Sequence, residues 1–198
     1  MNNNNHKPGP SPVFQNREFQ FIPEKCALLV IDMQEFFGGI AAPVISNVKK
    51  IIDRCRDREL KIIYTRHGHK DLSVDGGMLA EWWDTHAQYG TPEWEIIKEV
   101  SPREKDILID KNRYSAFFNT DLDRILKEAG IEQVIITGVM TNCCCETTAR
   151  DAFMRDYRVF FISDATATAT EELHLCSLKN LDFAFAHVMD TERILELI

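Results

Sequence analysis

The run Cys26-Ala27-Leu28-Leu29-Val30-Ile31, closed by Asp32, decides the fold. An unbroken apolar run of this length suits a strand buried on both faces, as in a parallel sheet covered by helices. Downstream of it, Val44, Ile45, Val48, Ile51, Ile52 and Cys55 recur at helical spacing, with Lys49, Lys50, Arg54, Arg56 and Arg58 on the other faces. That amphipathic helix leads into a second strand at 61–65. The unit then repeats. Further strands are predicted at 106–110, 134–137, 158–162 and around 186–189. Helices are predicted at 122–129, where Gly130 stops the helix, at about 143–155, near 171–182 and at 190–198. Strands alternating with helices predict an α/β protein with right-handed crossovers: a three-layer α/β/α, Rossmann-like sandwich around a six-stranded, mainly parallel sheet.

The 198 residues suit one domain, expected over 20–198, and a chain this long needs no disulfides to hold a core. A net charge of −8, from 23 basic and 31 acidic residues, argues against nucleic acid and leaves a small molecule as the expected partner. No apolar run approaches the roughly 20 residues of a membrane helix. Residues 1–19, opening Met1-Asn-Asn-Asn-Asn-His-Lys-Pro-Gly-Pro10, read as a disordered or extended lead-in without a secretory signal. Six cysteines without an export signal are expected as reduced thiols in the cytoplasm. The stretch 66–100 breaks the pattern. It holds Gly68, Gly76, Gly77 and Gly90 among Trp82, Trp83 and Trp94, and reads as a lid.

In open parallel sheets, ligands bind outside the carboxyl ends of the strands. Here those ends carry Asp32, Arg66-His67-Gly68-His69, Asp110-Lys111, Gly138 to Cys145, and Ser163-Asp164. Taken singly, Asp32 reads as a turn residue, Lys111 as a solvated charge and a cysteine as a small buried hydrophobe. Together they are what a nucleophilic cysteine hydrolase requires. A thiol near a helix N-terminus and a lysine is expected as a thiolate, with a carboxylate to take its proton. Consecutive helical residues project about 100° apart, so Cys143, Cys144 and Cys145 cannot share one role, and composition does not choose among them. Phe36, Phe37, Trp82, Trp83, Tyr114 and Phe117 are expected to wall an apolar site, with Arg66, Arg113 or His69 available to a substrate carboxylate.

Three segments in register, Leu29-Val-Ile-Asp-Met-Gln34, Asp110-Lys-Asn-Arg-Tyr-Ser-Ala-Phe117 and Gly138-Val-Met-Thr-Asn-Cys-Cys-Cys-Glu-Thr-Thr-Ala-Arg-Asp-Ala152, resemble the isochorismatase-like cysteine hydrolases. That resemblance covers about 20–190. It implies a catalytic Asp32, Lys111 and Cys144, a cis Val139–Met140 peptide, and an oxyanion hole from the N–H groups of Met140 and Cys144. The implied reaction cleaves a small amide or ureido C–N bond through a thioester, without a cofactor, in a homo-oligomer (dimer or tetramer). Phe37, His69, Trp83, Tyr114 and Phe117 are then the expected substrate pocket. Nicotinamidases in the family carry zinc on an Asp-x-His and a further His. Here the Asp is His67, so zinc on His67, His69 and His86 is the less favoured alternative. Isochorismatases proper hydrolyse a vinyl ether without the cysteine, which Asp32 could drive alone as acid. A catalytically silent binding protein and a thiol-redox protein are the readings from other classes.

Overall fold

A computed structural model describes residues 19–198, so the expected lead-in lies, except for Phe19, outside the described residues. Six strands form one sheet: β1 Cys26–Ile31, β2 Lys61–His67, β3 Ile107–Lys111, β4 Gln133–Val139, β5 Arg158–Ala167 and β6 His187–Met189. Their order is β3-β2-β1-β4-β5-β6, and every pairing is parallel, so the sheet expected to be mainly parallel is wholly so. Between them run α1 Gly38–Ala41, α2 Ile45–Asp57, α3 Met78–Trp82, α4 Leu122–Glu128, α5 Glu146–Met154 and α6 Glu171–Ala184, and α7 Thr191–Leu197 follows β6.

Strand β1 shows why three layers form. Cys26, Leu28 and Val30 face one core with Val48, Ile51, Ile52 and Cys55 of α2 and Ile194 of α7. Ala27, Leu29 and Ile31 face a second core with Leu122 and Leu126 of α4, Ala149 and Ala152 of α5 and Leu181 of α6. All six β1 residues are buried, which an alternating strand would not allow. Each buried leucine or isoleucine contributes about 1.5–3 kcal/mol relative to an exposed one.

Strand β1 lies between β2 and β4, and the chain covers opposite faces of the sheet on the two sides. That switch in winding opens a crevice at the carboxyl ends of β1 and β4. At its base Gly138 adopts φ +113°, and a Cβ there would stand 2.0 Å from the Ile31 carbonyl oxygen, so only glycine lets the two strands meet.

The elements differ from the sequence expectation where polar residues interrupt a strand or where a turn carries helical spacing. Strand β5 continues past 162 to Ala167 because Ser163 and Asp164 interrupt the apolar run while Thr166 and Ala167 go on to pair with Gly138 and Val139. Strand β3 includes Lys111. The helix expected from about 143 begins instead as a wide π-type turn, Thr141–Cys145, before α5. The 66–100 stretch contains short helical turns and α3, and is tied down by the Gln34 amide, which donates to the carbonyls of His67 and Trp94 at 3.0 and 2.8 Å.

Candidate active site

Three strand ends deliver the polar residues. Asp32 leaves β1 in the left-handed region, φ +47°, where a non-glycine residue is strained. Its N–H donates to Thr65 Oγ1 at 3.2 Å, and the same hydroxyl donates back to Asp32 Oδ1 at 2.6 Å. Lys111 ends β3 with Nζ 2.7 Å from Asp32 Oδ2, and neither side chain has any solvent exposure. The approach is an ion pair rather than a well-aligned hydrogen bond, since Oδ2 finds no partner of good hydrogen-bond geometry. Nζ also donates to the Arg113 carbonyl at 3.0 Å and reaches the Cys144 thiol. Burial alone would strip Lys111 of its proton, but Asp32 and Cys144 outweigh it and raise its pKa.

The π-type turn separates the three cysteines. Cys144 is 4% exposed and is directed toward Asp32 and Lys111. Cys145 is wholly buried in the second core, and Cys143 meets the Tyr114 hydroxyl. Cys143 and Cys145 both give their N–H to the Met140 carbonyl at 3.1 Å, which fixes the turn around Cys144. The Val139–Met140 peptide is cis. One expectation changes here. Burial drives the Cys144 thiol well above its usual pKa despite the opposing effect of Lys111, and Asp32 accepts a hydrogen bond from it. The resting group is therefore a thiol poised against a carboxylate, rather than a preformed thiolate.

Above Cys144 opens a cavity of about 450 Å³, a size that suits a small molecule. Phe36, Phe37 and Ile40 line it, together with Leu79 and Trp83 of the 66–100 stretch, Tyr114 and Met140. The Trp83 indole N–H donates to the Tyr114 hydroxyl at 2.8 Å, which joins lid to floor. Phe37, Trp83 and Tyr114 thus line the cavity as expected of them, whereas His69 and Phe117 do not. His69 is 1% exposed and turned to Asp75, with Nδ1 3.1 Å from its carboxylate. Phe117 lies in the second core, stacked on Tyr157 at 5.9 Å between centroids. Trp82 faces out, 74% exposed. Arg66 is paired with Asp110 and Glu95, and Arg113 donates to the carbonyls of Asp75 and Asn112, so neither is presented to the cavity. Sequence reading missed Glu35, Ile40, Leu79, Thr85, Ala87 and Glu93, which also line it. Only Leu79, three residues before Trp82 on the expected lid, carried a signal.

His67 lines the cavity, and burial together with the Lys111 charge pushes its pKa down to about 3, so the imidazole is neutral. His67 Nδ1 and His69 Nε2 are buried without partners, and their rings stand 5.2 Å apart. His86 spends its Nε2 on the Leu79 carbonyl at 3.0 Å. Two unpartnered imidazoles fall short of the three protein ligands of a catalytic zinc. Among the described residues, no three His, Cys, Asp or Glu side chains are placed to hold a metal ion. The donor set does not fit zinc.

Residues 26–193 match the model of the Isochorismatase domain. The chain belongs to the isochorismatase family. It is 47% identical over 171 residues to nicotinamidase 3 of Arabidopsis thaliana, covering 85% of this chain and 86% of that one. It is 31% identical over 203 residues to the ureidoacrylate amidohydrolase RutB of Serratia proteamaculans (strain 568), covering 87% and 82%. A solved cysteine hydrolase from Pseudomonas syringae pv. phaseolicola superposes with TM-score 0.86 at 28% identity, covering 91% of this chain and 95% of that one. This isochorismatase-family member is a hydrolase with the cysteine hydrolase fold. None of its helices among the described residues is long and apolar enough to cross a membrane.

Proposed function

We propose that this protein hydrolyses a small amide or ureido C–N bond through a thioester on Cys144. The observation that carries the reading is the meeting of one thiol, one carboxylate and one ammonium, all buried, with the thiol opening onto a largely apolar cavity. Asp32 takes the Cys144 proton as sulfur attacks the carbonyl carbon, and Lys111 holds its charge beside the forming thiolate. The N–H groups of Met140 and Cys144 receive the oxyanion. As the tetrahedral adduct collapses, the C–N bond breaks and Asp32 gives the proton to the departing nitrogen. Water, deprotonated in turn by Asp32, attacks the thioester, and Cys144 leaves as the thiol. This sequence calls on no cofactor. Nicotinamidase 3 and the ureidoacrylate amidohydrolase, both named for amide chemistry, support it.

The reading extends to a cytoplasmic setting, supported by six unpaired cysteines, and to a homo-oligomer, supported by solvent-exposed Trp82, Phe153, Met154 and Phe183. The test is an ammonia-release screen over small amides and ureides with wild type and Cys144→Ala. The variant should lose at least about 10³-fold in kcat with any amide the wild type turns over. Mass spectrometry of Asp32→Asn should find Cys144 unacylated by the same amide. Full hydrolysis of the amide by Cys144→Ala would overturn the thioester, whereas turnover of a vinyl ether but of no amide or ureide would point to acid catalysis by Asp32.

A further inference from the structure

The cavity over Cys144 carries charge of one sign only. Glu35, in the turn after β1, and Glu93, in the turn Pro92–Trp94, both line it, and the lining includes no lysine or arginine. Neither carboxylate is in an ion pair among the described residues, so no cation of the chain offsets them at the cavity. The cations nearby are committed elsewhere. Lys111 faces Asp32 at 2.7 Å, Arg66 is held by Asp110 at 2.9 Å and Glu95 at 3.3 Å, and Arg113 by the Asp75 carbonyl at 2.7 Å. Even a protonated His86 would leave the lining net negative. Apart from Thr85, His67 and His86, the rest of the wall is apolar and aromatic, so a charged ligand finds few polar groups there to replace its hydration.

We infer that Glu35 and Glu93 make this cavity a charge filter that admits an uncharged, planar carboxamide and disfavours the carboxylate its hydrolysis releases. The inference rests on the amide reading above and narrows it. Adding water across the C–N bond converts a neutral amide into a carboxylate and ammonium, so ligand charge changes at the step that ends the reaction. A wall of like charge raises the free energy of the bound product relative to the bound substrate and hastens its release. Glu35 and Glu93 are specificity-determining residues in this scheme, and neither touches the reacting atoms. Anionic ureido acids are disfavoured on the same ground.

The test compares benzamide with benzoate, an isosteric pair differing in charge. Dissociation constants are measured by calorimetry in a Cys144→Ala background, with and without Glu35→Gln and Glu93→Gln, at low and at raised salt. Before the glutamates are changed, benzamide should bind at least about fivefold more tightly than benzoate at low salt. Removing both carboxylates should bring the two within about twofold, each single variant should fall between, and salt alone should narrow the ratio by screening. Both glutamates are exposed, so the double variant should keep its melting temperature. A ratio unmoved by substitution and by salt, or benzoate binding as tightly as benzamide, overturns the filter. Turnover by the wild type separates the two claims. If carboxamides are hydrolysed but the ratio does not move, the filter fails and the amide reading stands. If the ratio moves but no amide is hydrolysed, the amide reading fails and the charge selection stands.

Discussion

Lys111 and Asp32, which meet Cys144 in the buried floor of the site, have no side-chain exposure, whereas Met78, Trp82 and Trp83 on the lid are 66%, 74% and 42% exposed. The floor is made of strand ends in a sheet packed on both faces, and its charges survive burial because each is matched. The lid is made of short turns and one five-residue helix, held to the body through the Gln34 amide and the Trp83–Tyr114 hydrogen bond. Chemistry is placed where positions are over-determined, and ligand selection where side chains are free to differ. A change at the floor should therefore be felt in both folding and turnover, and a change at the lid chiefly in binding.

Lys111→Met is the sharpest way to break that contrast. It leaves the Asp32 carboxylate buried beside no counter-charge, and a buried pair broken on one side typically costs about 3–5 kcal/mol. Chemical denaturation should register that loss along with the loss of turnover. Adding Asp32→Asn to the same chain should restore much of the stability and none of the activity. If the double variant is as unstable as the single one, packing rather than charge matching holds the floor.

Two glycines offer the same comparison through the backbone. Gly138→Ala drives a Cβ to 2.0 Å from the Ile31 carbonyl at φ +113° and should cost at least about 3 kcal/mol by urea denaturation. Gly90 on the lid also has positive φ, +78°, but open space around it, so Gly90→Ala should cost only the left-handed penalty of about 1 kcal/mol. Equal losses would mean that the lid is as tightly packed as the floor.

His67 stands where floor and lid meet, and it makes the boundary sensitive to pH. Its pKa is about 3 in the folded protein against an ordinary 6.5, so between those values the unfolded chain binds the extra proton. Stability contributed by keeping this ring neutral is whole above pH 6.5 and falls as pH drops toward 3. The loss by pH 5 should reach up to about 2 kcal/mol, and His67→Gln should flatten that limb in denaturation curves taken from pH 7 to 5. An identical acid limb in the variant would assign the loss to other groups.

The sheet was legible because every one of its strands but β6 contains an apolar run, and the floor because polar residues at strand ends fall on one edge whatever the loops do. Asp32 and Lys111 could be placed by that rule alone, while choosing Cys144 from three neighbours needed the family resemblance. The protonated resting thiol was not legible. Helix dipole and lysine argue for a thiolate, but the burial that opposes them is a property of the packed turn, not of its residue types. His69 and Phe117 misled for a related reason, since an imidazole or a phenyl ring near a strand end serves a core as readily as a pocket. Glu35 and Glu93 gave no signal because nothing in an exposed glutamate shows that a cavity opens beside it.

The smallest effect expected is at the join itself. Tyr114→Phe removes the acceptor that receives the Trp83 indole N–H at 2.8 Å and the group that meets the Cys143 thiol, but it keeps the aromatic wall. Trp83 is partly exposed, so water can take over its N–H, and the net loss should be no more than about 1 kcal/mol. Because the bond positions the lid and not the reacting atoms, that loss should appear as a rise in KM of about three- to fivefold with kcat within twofold. Trp83→Phe, which removes the donor instead, should give the same shift, and the double variant no more than either alone, since both break one bond. A fall in kcat that exceeds the rise in KM would place the Tyr114 hydroxyl in the chemistry of the floor, and the line between the two regions would have to be redrawn on the other side of it.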